Sequence, residues 1–234
     1  MKIHLSMCLT ALLFITFTEK TSAQDESYGT WTSVGVEKKL NKWNLEANTE
    51  LRTICYLSLI NRWSLGVSAD YDLLKQLSIG AGYEFMNVLD KKYDNYQFRN
   101  RFNVSATGKI TINDFTFKLR ERIQTTQKDE SKRIDDEGDI DNYKINPEWS
   151  WRNRLQMSYD IPHCKVTPAF SLESFYQLDN PDGNAFDNLR YILSFDYKVN
   201  KRNKTKVYGL INSKLESEDA YGKYILGVGY IYTF

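Results

Sequence analysis

Over residues 43–52, Trp43, Leu45, Ala47, Thr49 and Leu51 alternate with Asn44, Glu46, Asn48, Glu50 and Arg52. The same period returns at 62–71, where Trp63, Leu65, Val67, Ala69 and Tyr71 are separated by polar or small residues. It returns again at the end of the chain in Tyr224, Leu226, Val228, Tyr230, Tyr232 and Phe234. A period of two puts apolar and polar side chains on opposite faces of a strand. Runs of about ten residues are what a tilted strand needs to cross a bilayer. The pattern predicts strands over 29–39, 43–53, 62–72, 77–87, 95–107, 113–125, 147–160, 165–178, 188–199, 204–215 and 223–234. The connections alternate between short ones, such as Asn41-Lys42 and Asn200 to Asn203, and longer ones at 54–61, 88–94, 127–146, 179–187 and 216–222. Short periplasmic turns and long outer loops are the asymmetry of bacterial barrels. The expected fold is all-β, a single antiparallel transmembrane β-barrel of about ten to twelve strands.

Eleven drawn strands put the two termini on opposite sides, whereas bacterial single-chain barrels have even numbers. The count therefore leans to twelve, with 29–39 and 204–215 as the least regular segments. A lipocalin or β-sandwich would also alternate, with its apolar face turned inward. Three features favour the membrane: aromatics near strand ends (Trp31, Trp43, Trp63, Trp149, Trp151 and Tyr232), which read as interface girdles; Arg and Glu at mid-strand on the polar face; and a chain that closes on Phe234. The partners this implies are outer-membrane lipid, lipopolysaccharide and, through Phe234, the barrel-assembly machinery.

Residues 1–23 read as a secretory signal peptide. Lys2 and His4 precede an uncharged apolar stretch from Leu5 to Phe17, and Thr21-Ser22-Ala23 offers a small-residue cleavage site. The barrel is expected to fill 24–234, in the outer membrane of a Gram-negative bacterium. Mean hydropathy is low, −0.54, because a barrel shows lipid only one residue in two. Without Lys2, Lys20 and Glu19 the chain carries 29 basic and 29 acidic side chains, which argues against a nucleic-acid partner. Cys55 and Cys164 remain, but the strand map sets them at opposite rims. That is about 30 Å apart, against a Cα separation of about 7 Å at most for a disulfide. No disulfide is expected.

The polar faces carry the candidate chemistry. Arg99 and Arg101, then Lys118, Arg120 and Arg122, then Arg152 and Arg154 share the lumenal face of successive strands. A hairpin centred near 109–112 would bring Arg99 to Arg122 and Arg101 to Arg120. Like charges directly opposed are destabilising, so counter-charges are needed. Glu46, Glu50, Glu84 and Glu173 are the candidates, with Glu148 and Asp196 beside them, and Arg52, Arg62 and Arg190 add positive charge towards the outer end. Such a lumen is either a salt-bridged plug or a site that draws a small anionic solute, since arginine rings select anions and guanidinium forks match carboxylate and phosphate. The acidic loop 127–146 is expected to be solvated and mobile, or to fold inward onto the lumenal arginines. Its Asp135-Asp136-Glu137-Gly138-Asp139 run lacks EF-hand spacing. No metal site or cofactor is expected. His163 is the one histidine after residue 23 and falls in a turn beside Pro162. No Gly-x-Ser-x-Gly elbow or phosphate loop occurs, so an enzyme acting on envelope lipid is the least favoured reading.

Trp31, the Glu46–Glu50-Leu51-Arg52 strand, Gly80-Ala81-Gly82-Tyr83-Glu84-Phe85, Arg99-Asn100-Arg101, Trp151-Arg152-Asn153-Arg154-Leu155 and Glu173-Ser174-Phe175 follow one another in this order. Together they resemble the domain of unknown function (DUF) 2490 family, outer-membrane barrels of Bacteroidota-like bacteria. The resemblance implies a small outer-membrane barrel and brings no activity or catalytic residue. The residues themselves point to a narrow channel or an anion-binding barrel, with a plugged structural barrel as the alternative.

Overall fold

A computed structural model describes residues 28–55, 57–215 and 223–234; the signal-peptide reading of 1–23 lies outside these. Eleven strands follow one another: β1 (Tyr28–Leu40), β2 (Trp43–Ile54), β3 (Leu59–Leu74), β4 (Leu77–Asp90), β5 (Asn95–Ile112), β6 (Phe115–Lys128), β7 (Glu148–Tyr159), β8 (Val166–Leu178), β9 (Phe186–Lys198), β10 (Asn203–Lys214) and β11 (Tyr224–Thr233). Sequential neighbours pair antiparallel, and β11 returns to β1 to close the barrel. That last pair is parallel, running from Tyr28↔Tyr224 to Glu37↔Thr233. The lean towards twelve strands is therefore corrected. An odd number closes without an edge when its first and last strands run the same way. Tyr28 then starts at the rim of the long loops while Phe234 ends at the rim of the short turns. The seam is clasped from inside: the Glu37 carboxylate accepts from Lys204 Nζ and Thr233 Oγ1, both at 2.5 Å.

The two faces settle which way the barrel is turned. Glu173, Gln97 and Ser64 are fully buried inside, whereas Leu226 and Val104 on the outside are each 59% exposed. A lipocalin has the reverse arrangement, so the apolar belt is the lipid-facing surface. Aromatic pairs ring it at both ends. Trp43–Tyr71, Phe115–Tyr159 and Tyr232–Phe234 sit by the short turns, and Tyr28–Tyr224, Phe85–Phe98 and Tyr176–Phe186 by the long loops. Trp31 is the exception to the predicted girdle. It lies on the inner face of β1 with Ser33 and Glu37, since a position near a strand end does not fix which face a residue takes.

The β5–β6 hairpin turns at Asn113-Asp114, not at 109–112. Gly108 looks like a turn residue in sequence, yet it stays in the ladder opposite Leu119. The turn falls instead at Asn113, which adopts φ 52°, a left-handed conformation that asparagine tolerates. One glycine is required by close approach. A Cβ on Gly227 would lie 1.9 Å from the ring of Tyr208, which crosses the inner face of β11. This aromatic on the inner face, followed by Leu210, explains why β10 alternates poorly in sequence. Cys55 follows β2 at the long-loop rim, and Cys164 lies in the β7–β8 turn at the other; both are free.

The parallel seam predicts a cross-link. Thr32 and Val228 are direct partners on the outer face. With Cys55 and Cys164 replaced by serine, Thr32→Cys with Val228→Cys is expected to oxidise to a disulfide in the refolded barrel, read as a gel shift reversed by reductant. Thr32→Cys with Tyr232→Cys, four residues out of register, should not.

Candidate functional site

The inner wall is organised by two carboxylate-centred knots. On β8, Glu173 lies in register between Arg154 of β7 and Arg190 of β9. Its Oε1 accepts from Arg120 at 3.1 Å and Arg152 at 2.9 Å; its Oε2 accepts from Arg154 at 2.9 Å and Arg190 at 3.4 Å. Four guanidinium groups from three strands thus meet one carboxylate that is 0% exposed. The second knot joins β2 to β5. Glu50 accepts from Arg52 at 2.7 Å and Arg62 at 2.8 Å, and Glu84 accepts from Arg62 at 2.8 Å and Arg101 at 3.1 Å. Arg52 and Arg62 are direct cross-strand partners, and Glu50 and Glu84 flank them, which offsets their repulsion.

The predicted approach of Arg99 to Arg122 and of Arg101 to Arg120 does not occur. With the turn at 113–114, Arg99 pairs with Lys128 and Arg101 with Thr126. The opposed arginines lie one strand further on, Arg120↔Arg154 and Arg122↔Arg152 between β6 and β7. Glu46 accepts from Asn48 at 3.0 Å. Lys118 faces Lys109 and Gln156 nearer the short turns. Glu148 pairs with Lys128 at 2.8 Å and Asp196 with Lys206 at 3.4 Å.

Two aromatics inside the lumen take part, and sequence reading gave neither this role. The Trp31 ring lies 3.5 Å from the Arg52 guanidinium and 5.2 Å from that of Arg190. Phe175 carries Arg152 at 4.5 Å and Arg190 at 4.7 Å. Such contacts hold a guanidinium in place without consuming its charge. The signal that could have found Phe175 is parity: it stands two residues after Glu173, on the same face. The Arg190–Trp31–Arg52 contact joins β9 to β2 across the lumen near the long-loop end. Beside it lies a cavity of about 440 Å³. Nine cationic side chains border it against Glu46, Glu50 and Glu84.

The loop 129–147 is tied down, contrary to the mobile segment expected. Arg133 is buried and bonds Asp90 at the end of β4; it also donates to Asp141 Oδ2 at 2.8 Å and to the Asp141 carbonyl at 2.7 Å. Lys92 and the Tyr93 hydroxyl donate to the same Asp141 carboxylate at 2.8 and 2.6 Å, and hold its pKa down to about 2. The Tyr143 hydroxyl donates to Asp90 at 2.9 Å, while its ring lies 5.7 Å from Arg99 and 5.0 Å from Lys128. The loop therefore folds over one side of the mouth, where its tyrosine meets lumenal cations. Asp141 is engaged by Arg133 and by Lys92 and Tyr93 of the β4–β5 turn, while Asp129, Glu130 and Asp135 accept from backbone N–H groups of the loop itself.

Among the described residues no group of three or more His, Cys, Asp or Glu could hold a metal ion. His163 sits in the exposed β7–β8 turn at the short-turn rim. Outward-facing polar groups do occur at mid-barrel. Ser174 receives its bond from the Asn153 amide at 3.4 Å and Glu121 from the Trp151 indole at 2.8 Å, and no histidine reaches them.

Removing the buried, shared carboxylate leaves four partly buried guanidinium groups without it, and breaking a buried pair costs about 3–5 kcal/mol. Glu173→Gln is expected to lower stability by about that amount, measured by urea unfolding in detergent micelles. In the loop, Arg133→Ala should speed trypsin cleavage at Lys132 and Lys144 relative to the unaltered barrel, where the Arg133 bonds to Asp90 and Asp141 are expected to slow it.

Among solved structures the chain is similar to the "KdgM porin in complex with disordered oligogalacturonate", at 15% identity over 77% of this chain and 82% of that one, TM-score 0.46. It is also similar to the NanC porin, at 12% identity over 85% and 91%, TM-score 0.48. No curated protein matches it in sequence. The family model described as "Protein of unknown function (DUF2490)" matches residues 28–221, and the chain belongs to that family.

Proposed function

We propose that this protein is an outer-membrane barrel whose arginine-lined lumen draws in small anions, as a narrow channel or as a binding site. The apolar belt, the two aromatic girdles and closure without an edge support residence in a bilayer. Residues 1–23 would direct export. Lipid and lipopolysaccharide would meet the outer face, and the exposed Phe234 would be offered to the assembly machinery. The observation that carries the anion reading is the charge excess around the lumenal cavity, where nine cations meet three carboxylates and Glu173 behind them is shared by four arginines. Low-dielectric walls strengthen such a field and raise the local concentration of counter-ions. Arg99, Arg101, Lys118, Arg120, Arg122, Arg152 and Arg154 would form the positive wall; Glu46, Glu50, Glu84 and Glu173 would set how much of it stays uncompensated.

The Arg190–Trp31–Arg52 contact favours a second reading, a structural barrel whose lumen is closed near the long-loop end. Planar-bilayer conductance of the refolded protein under a salt gradient separates the two. Steps with a reversal potential favouring chloride are expected, and Arg120→Glu with Arg152→Glu should reduce or reverse that preference. A folded barrel, shown by heat-dependent gel mobility, that passes no current would instead support the plug. Unchanged selectivity after both reversals would end the anion reading.

A further inference from the structure

The two opposed arginine pairs between β6 and β7 form consecutive rungs, Arg120↔Arg154 and Arg122↔Arg152. Positions two apart on a strand are separated by about 6.8 Å, so four guanidinium groups crowd one small area of wall. Directly opposed like charges are unfavourable, and what offsets them is incomplete. Glu173 supplies one carboxylate and shares it with Arg190. Arg122 makes no ion pair or hydrogen bond with any described residue. Asp70 of β3 acts on Arg122 and Arg120 only at a distance, without a hydrogen bond or ion pair to either, and Glu50 and Glu84 are engaged by Arg52, Arg62 and Arg101 on the other wall.

The donors left over have a pattern. Arg120, Arg152 and Arg154 each give a terminal nitrogen to Glu173. The Nε atoms of all four arginines are buried and have no partner. The Nε–Nη edge of a guanidinium is a fork that takes two oxygens of a carboxylate or phosphate. Three of the four are thus anchored to Glu173 through one terminal nitrogen, Arg152 also to Gln124, with the Nε of each left unpartnered, and Arg122 has no hydrogen bond with any described residue. All four border the cavity of about 440 Å³, within the range of small-molecule sites.

We propose that Arg120, Arg122, Arg152 and Arg154 form a binding site for a small doubly charged oxyanion, of the phosphate or dicarboxylate type, with Glu173 as the internal carboxylate that prepositions three of them. The assignment rests on the anion reading of the lumen and gives it a location and a ligand class. Two rungs of paired charge suit a dianion better than a monovalent ion, which would leave one rung opposed.

The test is isothermal titration calorimetry of the refolded chain, residues 24–234, in detergent micelles at fixed ionic strength. Inorganic phosphate, succinate and acetate are the probes. Phosphate or succinate is expected to bind at least about tenfold more tightly than acetate, and Arg122→Gln to lose about tenfold or more of that affinity with heat-dependent gel mobility unchanged. Whichever dianion binds more tightly identifies the type. Glu173→Gln should be restored towards normal heat resistance by that dianion and not by chloride. If Arg122→Gln does not refold, Arg122→Lys takes its place and should weaken binding because the fork is lost. Dianions binding no more tightly than acetate, or Arg122 variants binding as the unaltered protein does, would overturn the site. Anion-selective conductance together with either of those results would sink the site and leave the channel. Dianion binding lost with Arg122 in a barrel that passes no current would sink the channel and leave the site.

Discussion

A sheet in hydrocarbon has no water to satisfy the N–H and C=O groups of an unpaired edge strand, and each such group costs several kcal/mol. Closure is therefore the constraint from which the rest of this molecule follows. Here eleven strands meet it through a parallel β1–β11 pair, and the Glu37 clasp to Lys204 and Thr233 fixes that seam from inside. Once the ring is closed, the register of each pair follows, and with it which charges share a level of the lumen. The turn at Asn113-Asp114 illustrates the coupling. It shifts β6 against β5, so the arginines of β6 do not oppose those of β5, and the separate β6–β7 register sets them opposite those of β7.

Inside the ring, the arginines of the lumen are not balanced one for one. Glu173 is surrounded by four of them, an arrangement that stays favourable because every contact is a charge-assisted hydrogen bond in a buried setting. Trp31 and Phe175 hold guanidinium planes without neutralising them. The result is a wall with surplus positive charge, covered on one side by a loop whose Asp141 is bound away from the lumen. Had Asp141 and Asp90 been free, they would compete for the lumenal cations. Arg133, Lys92 and the tyrosines keep them occupied.

Much of this was legible before any coordinates. Period-two alternation gave the strands, because a lipid-facing surface imposes polarity on every second residue. The drawn segments correspond to the eleven strands observed, displaced by a few residues at the ends. Trp31 and the β5–β6 turn were misplaced for related reasons. An aromatic near a strand end fits a girdle whichever face it occupies, and a glycine reads as a turn although a ladder can run through it. Tyr208 shows in the sequence only as an irregularity of 204–215, and Phe175 only as part of the Glu173-Ser174-Phe175 run, because an apolar residue on a polar face is a local exception to the pattern.

By itself the sequence determined the alternation, the alternating connection lengths and the concentration of arginine on one face. Each is a property of single strands, set by side-chain chemistry and the pleat. Which arginines meet, that four of them gather on Glu173, that the seam is parallel and that loop 129–147 is bound to the rim were decided only by the closed barrel. These depend on register and curvature, which no strand carries alone, and a shift of two residues preserves every face while exchanging every partner.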